Sequence, residues 1–159
     1  MTTLATLCFI LRDREVLLIR KKRGFGAGKY NGVGGKVERD ENIIDAAIRE
    51  VKEEVGIEPL ELEYAGVLEF YTNGNEPDWV VHVFLCRKFR GEPKPSDEAE
   101  PKWFPLDSLP YDKMWVDDRL WLPHVLSGRR VSAKFWFTRN YEKMLKWEVR
   151  IEGACKKEL

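Results

Sequence analysis

Cysteine is scarce in this 159-residue chain: Cys8, Cys86 and Cys155 are an odd number and form no CxxC pair, which excludes a disulfide framework and argues against a zinc site. Such thiols suit a reducing compartment, so a cytoplasmic location is expected. Net charge is missing as well. Lys plus Arg and Asp plus Glu both number 27, and nothing in that balance calls for a nucleic-acid partner. Long apolar runs are absent: the longest, 4–11, is interrupted by Thr6 and is far too short to cross a bilayer, so no membrane partner is expected. No basic segment precedes that run, so it does not read as a secretory signal. Repeats, linkers and low-complexity tracts are lacking too, and one domain over 1–159, acting as a monomer, is expected. The last residues, Lys156-Lys157-Glu158-Leu159, read as a frayed, solvated end.

What is present is a mixture of strand and helix patterns. Residues 4–11 and 15–20 are β-rich and separated by Arg12-Asp13-Arg14, which reads as a hairpin. Residues 21–36 hold six glycines and fit neither period, so a loop is expected. From Asp40 to Val55 the period becomes helical: Ile44, Ala47, Ile48, Val51 and Val55 share a face, Asp40 can cap the start, and Gly56 stands where a helix ends. Further strands are expected over 62–71, 79–89, 102–104, 132–138 and 145–152. A helical turn is expected over 106–109 and a helix over 115–126, bent or shortened by Pro123. Strands mixed with two helices imply an α+β or α/β/α domain. His82 falls inside a strand and reads as packed, and His124 reads as a surface residue. No Ser-His-Asp or Cys-His arrangement stands out, which disfavours a covalent mechanism.

Glu50, Glu53 and Glu54 stand at i, i+3 and i+4, so a helix carries all three carboxylates beside its apolar stripe. Like charges at that spacing repel. Either the face is simply solvated, or a hard divalent cation, Mg²⁺ or Mn²⁺, neutralises it. The surrounding pattern favours the cation. From Gly35 the chain reads Gly35, five residues, Glu41, seven residues, then Arg49-Glu50-Val51-Lys52-Glu53-Glu54-Val55-Gly56-Ile57. This resembles the Nudix box, GX5EX7REUXEEXGU with U a bulky aliphatic, at every fixed position.

The resemblance implies a Nudix α/β/α sandwich with a central mixed β-sheet and a loop–helix–loop that holds metal ions against a diphosphate. Carried over by position, Glu50, Glu53, Glu54 and the Gly35 carbonyl are the implied metal ligands. Arg49 is the implied orienting arginine, pairing with Glu53 while leaving the metal side open, and Glu41 a supporting partner. The glycine-rich stretch before the box fits no other phosphate loop. A P-loop would need Ser or Thr at Tyr30 and glycine at Arg23, and a Rossmann fingerprint would need glycine at Lys29. Lys21, Lys22 and Arg23 at its mouth are read either as phosphate contacts or as a solvated basic face.

Beyond the box, Lys21 to Gly28, Asn31-Gly32, Gly34 to Val37, Val81 to Phe84, Ser96-Asp97-Glu98, Trp103-Phe104 and Met114 to Asp118 resemble the MutT-like oxidised-purine nucleoside triphosphatases of the eukaryotic type. In that branch an asparagine and a Trp-x-Asp-Asp motif read the base; here these are Asn31, Trp115, Asp117 and Asp118. Trp115 or Phe25 supplies an apolar wall and Asn31 a donor with an acceptor. Two adjacent aspartates in a dry pocket repel, so one keeps its proton and can donate to a purine oxygen. The alternatives stay open: Asp117 and Asp118 as caps of a helix from Arg119, Trp115 as core, and Phe70 and Trp121 as pocket edge or core. Glu98 resembles a loop carboxylate near the metals, a general base or a solvated acid. The expected activity is Mg²⁺-dependent hydrolysis of purine nucleoside triphosphates such as 8-oxo-dGTP or 2-oxo-dATP to monophosphate and pyrophosphate, the partner being the small nucleotide. The alternatives are a Nudix hydrolase of a dinucleotide, nucleotide sugar or capped RNA, and a non-catalytic nucleotide- or RNA-binding module.

Overall fold

The computed structural model describes residues 1–157. Its strands are β1 (Thr3–Arg12), β2 (Glu15–Lys21), β3 (Tyr30–Asn31), β4 (Val33–Lys36), β5 (Glu58–Tyr71), β6 (Trp79–Arg90), β7 (Ala99–Pro105), β8 (Arg129–Phe137), β9 (Met144–Ala154) and β10 (Lys156–Lys157). Its helices are α1 (Ile43–Val55) and α2 (Asp118–Leu126). The strands join one mixed sheet in the order β3-β2-β1-β6-β5-β8-β9, with β7 on β2, β4 on β1 and β10 on β5. The pairs β1·β6 and β5·β8 are parallel.

Both faces of the sheet are covered, which explains why β1 reads as a continuous apolar run instead of an alternating one. Leu7, Phe9 and Leu11 point to the face closed by Trp121, Leu122 and Val125 of α2. Cys8 and Ile10 point to the opposite face, closed by Ala47, Val51 and Val55 of α1. This is the α/β/α sandwich around a mixed sheet that the sequence predicts. No helix among the described residues is long and apolar enough to cross a membrane.

Several boundaries differ from the sequence reading, each for a local reason. The loop expected over 21–36 ends in two strands, because Tyr30–Asn31 pair with the end of β2 and Val33–Lys36 with β1. Helix α1 starts at Ile43, capped by Asn42, whose side-chain oxygen accepts from the Asp45 N–H at 2.9 Å. Asp40 lies outside it with φ of 64°. Gly56 ends α1 as expected, in the left-handed region with its N–H on the Lys52 carbonyl. Helix α2 begins only at Asp118, and Pro123 lies on its exposed side. The turn expected over 106–109 forms at Leu106 and Asp107, with the Ser108 N–H on the Pro105 carbonyl at 3.0 Å, and a 3-10 turn follows at Tyr111–Lys113; the strand expected over 102–104 is longer, running as β7 from Ala99 to Pro105. Lys156 and Lys157 are not frayed but pair with Tyr64 and Glu63 of β5, while 158–159 lie outside the described residues. His82 is half-buried, its Nδ1 2.7 Å from the Tyr64 hydroxyl, and His124 is half-buried rather than exposed.

Candidate active site

The β1·β4 register places Gly35 opposite Thr6, and the chain then turns directly into α1. Gly35 thereby faces the carboxyl of Glu50: a Cβ added there would stand 2.5 Å from the Glu50 carboxyl carbon, so only glycine allows this approach. Arg49 organises the acids around it. Its guanidinium donates to both oxygens of Glu41, at 2.8 and 2.9 Å, to Glu50 at 2.8 Å, to Glu53 at 3.3 Å and to the Lys36 carbonyl at 3.1 Å. The expected Glu53 pair is there, but Arg49 also takes Glu50, so it does not leave the inner side wholly open. These hydrogen bonds, helped by the Glu38 N–H, hold Glu41 down to about 2.

The three glutamates share a face of α1 but not an environment. Glu50 and Glu54 line a cavity of about 530 Å³, while Glu53 is exposed to solvent and is not part of the lining. Burial, then the Glu50 charge, pushes Glu54 up to about 8. Burial also raises Glu50, against the pull of Arg49. Among the described residues no three His, Cys, Asp or Glu side chains converge into a ready cation cage. Yet Glu54 Oε2 is buried without a hydrogen-bond partner, a costly position for an anion unless something positive meets it. Two hard carboxylates beside a backbone turn, one oxygen orphaned, fit a divalent cation. Lys21 lines the same cavity, its Nζ donating to the Phe25 carbonyl at 2.7 Å. Glu98, also in the lining, is ion-paired with Arg23 at 2.7 Å, which lowers its pKa.

The other end of the cavity is apolar with a few buried polar groups. Phe25 and Trp115 pack with ring centres 5.1 Å apart, and Gly26, at φ of 83°, runs so close under Trp115 that a Cβ would lie 3.0 Å from its ring. Trp115 is thus a half-buried wall, not plain core. Asn31 lines the same end, its Oδ1 accepting from the Gly32 N–H at 2.9 Å, which leaves its amide donors for a ligand. Asp117 and Asp118 are 2% and 3% exposed, and neither acts as a helix cap: Asp117 occupies the cap position but makes no side-chain cap bond. Asp117 instead accepts from Trp121 Nε1 at 2.9 Å, whereas Asp118 Oδ2 has no partner. Burial raises both carboxyls, and the Asp117 charge raises Asp118 further. Phe70 is a half-buried edge of the cavity, and Trp121 is fully buried core that also reaches its floor.

An aromatic chamber joined to a carboxylate helix across one cavity agrees with what comparison with known proteins finds. The NUDIX domain matches residues 1–125. The chain belongs to the NUDIX family. This Nudix chain is 44% identical over 134 residues to the oxidized purine nucleoside triphosphate hydrolase of Danio rerio, covering 84% of this chain and 86% of that one. It is 39% identical to the Mus musculus protein of the same name, over 92% and 94% of the two chains. Among solved structures it resembles the mutator MutT protein of Bacillus halodurans, with a TM-score of 0.81, 26% identity and coverage of 92% and 97%. Nudix hydrolases generally need divalent cations.

Some lining residues of this Nudix cavity escaped the sequence reading. Thr6 is buried, lines the cavity and has a hydroxyl without a partner; as the one hydroxyl inside an apolar run, it carried a signal. Tyr141 closes the wall from the turn after β8, 5.8 Å from Phe25. It belongs to no motif, and only the course of the chain brings it there.

Proposed function

We propose that this Nudix hydrolase cleaves oxidised purine nucleoside triphosphates, of the 8-oxo-dGTP or 2-oxo-dATP kind, to nucleoside monophosphate and pyrophosphate, and so clears them from the nucleotide pool. The observation that carries the reading is the single cavity with Asn31, Asp117 and Asp118 at one end and Glu50 and Glu54 at the other. The names of its relatives in Danio rerio and Mus musculus support the same substrate class. Asn31 and a protonated Asp118 supply donors and Asp117 an acceptor to the edge of the base, which lies against the wall made by Phe25 and Trp115. Lys21 lies where the phosphate chain passes toward α1.

Glu50, Glu53, Glu54 and the Gly35 carbonyl are the groups that would hold Mg²⁺, with Mn²⁺ a substitute. When bound, the cation neutralises phosphate oxygens and makes water a better nucleophile at neutral pH. Arg49 orients Glu50 and Glu53 by its hydrogen bonds. Glu53, or Glu98 once freed from Arg23, is the carboxylate that would take the proton of the attacking water. All these groups come from one chain, so the reading needs neither a second subunit nor a nucleic acid. One unit over 1–159 is supported by β8 and β9 continuing the sheet that carries the site. The buried thiols of Cys8 and Cys86 are in keeping with a cytoplasmic setting.

The test is turnover on a panel of oxidised and normal nucleotides, dinucleotides and sugar nucleotides with Mg²⁺. The expected result is a kcat/KM for an oxidised purine triphosphate above those for dGTP and dCTP. Glu54→Gln is expected to lower kcat by several orders of magnitude with no loss in thermal midpoint, because the amide matches the carboxyl in shape and cannot take the negative charge that burial disfavours. An active Glu54→Gln enzyme sinks the metal assignment, and a wild type indifferent to base oxidation sinks the substrate assignment.

A further inference from the structure

Strand β9 closes one side of the sheet: among the described residues it pairs with β8 and has no strand on its outer side. Such an edge presents unpaired N–H and C=O groups and is a template for another strand. From Lys146 to Ile151 the pairing with β8 is regular, the register shifts falling outside this stretch.

That register decides which face each side chain takes. Trp147 lies opposite Phe135, Val149 opposite Ala133 and Ile151 opposite Val131, and these three β8 residues are buried in the core closed by α2. The apolar layer therefore continues outward onto β9, but there it is uncovered: Trp147 is 52% and Ile151 42% exposed. The other face of β9 carries Lys146, Glu148 and Arg150, and Glu152 follows at the register shift beyond them. An edge protected against self-association would carry charges of one sign. This one is self-complementary about its middle residue.

We propose that the free edge of β9 recognises β9 of a second copy of this chain, the strands running antiparallel about a two-fold axis through Val149. In that register Glu148 stands opposite Arg150 of the second copy, a pair that occurs twice, and Trp147 stands opposite Ile151 on the apolar face. Neighbouring registers fail. Centring on Glu148 sets that residue against itself and Lys146 against Arg150, and centring on Arg150 sets that residue against itself. A slip that changes faces places the apolar stripe against the charges. The dimer forms one sheet across the axis, and each Trp147 gains the neighbour that its own chain does not supply. One chain completes the cavity, so the dimer adds an assembly surface and not a catalytic group.

The experiment is sedimentation equilibrium of the whole chain over about 1–500 µM, the range where a single strand pairing is read. The wild-type mass is expected to rise from 18.6 kDa toward twice that value with concentration. Glu148→Arg alone and Arg150→Glu alone each set like charges together and are expected to stay at 18.6 kDa. An equimolar mixture of the two is expected to restore the doubled mass, as is the double variant. Unchanged thermal midpoints and per-chain turnover show that these exposed positions, away from the cavity, leave the fold intact. A wild type that stays at the single-chain mass overturns the proposal. So does a dimer that either single variant leaves intact, or single variants that do not pair on mixing.

Discussion

A carboxyl held in a dry chamber is cheaper as the neutral acid than as the anion, and Asp117 and Asp118 are both raised for that reason. The native state then binds more protons than the unfolded chain once pH exceeds the ordinary Asp value of about 3.9. Stability of the ligand-free protein is therefore expected to fall as pH rises from there toward the raised native values. Asp118→Asn should flatten that fall, seen as thermal midpoints measured across pH. The same variant keeps a donor, so partial activity on guanine-type substrates is expected, whereas Asp118→Ala should lose it. Asp117→Ala and Asn31→Ala should each cost about 1–3 kcal/mol of binding, appearing in KM more than in kcat. If the ratio of kcat/KM for 8-oxo-dGTP to that for dGTP is indifferent to all three positions, the base-reading roles are wrong. Gly35→Ala tests the other end of the cavity. Its methyl meets the movable carboxyl of Glu50, not a rigid wall, so the fold should persist while kcat drops on the order of 100-fold through misplacement. Normal turnover in that variant contradicts the role given to this contact.

Helix α1 is the element that turns a spacing into a site. Its apolar side, Ala47, Val51 and Val55, is locked into the core, so its rotation is set by packing and Glu50 and Glu54 are carried inward with it. Asn42 fixes where the first turn begins. Asn42→Ala removes that cap and is expected to lower stability by about 1 kcal/mol in denaturant unfolding, with KM for nucleotide little changed because the side chain is away from the cavity. A neutral effect would mean that the register of α1 rests on packing alone. Helix α2 works differently. It is short and holds a proline, and Asp117 is positioned by the indole of Trp121 one turn later, itself wholly buried against the sheet.

For the whole molecule, elements from both faces of one sheet line the cavity: α1 and the β4 turn supply the Glu50 and Glu54 end, and the start of α2, the 21–36 segment and the β8–β9 turn supply the aromatic end. A triphosphate spanning that cavity should yield pyrophosphate and monophosphate, and activity should vanish on chelation and return with Mg²⁺, both read by phosphorus NMR. Release of orthophosphate with a diphosphate product, or turnover in chelator, contradicts the proposed pose. The box from Gly35 to Ile57 and the acids at 50, 53 and 54 were legible from sequence, because helical period, glycine and like-charge spacing are local properties, and the covered sheet was legible through the resemblance. So were Asn31, Trp115, Asp117 and Asp118 as a group, through resemblance, although whether the aspartates capped a helix stayed open until their hydrogen bonds were seen. Local pattern could not show that Arg49 also holds Glu50, that Glu53 faces solvent, or that residues 30–36 are strands, since strand pairing and ion-pair partners are settled by segments distant in the chain. Thr6 and Tyr141 became cavity residues only through the β1·β4 register and the turn after β8. Spacing along the chain determined which groups could act, and packing across the sheet decided which of them share one cavity.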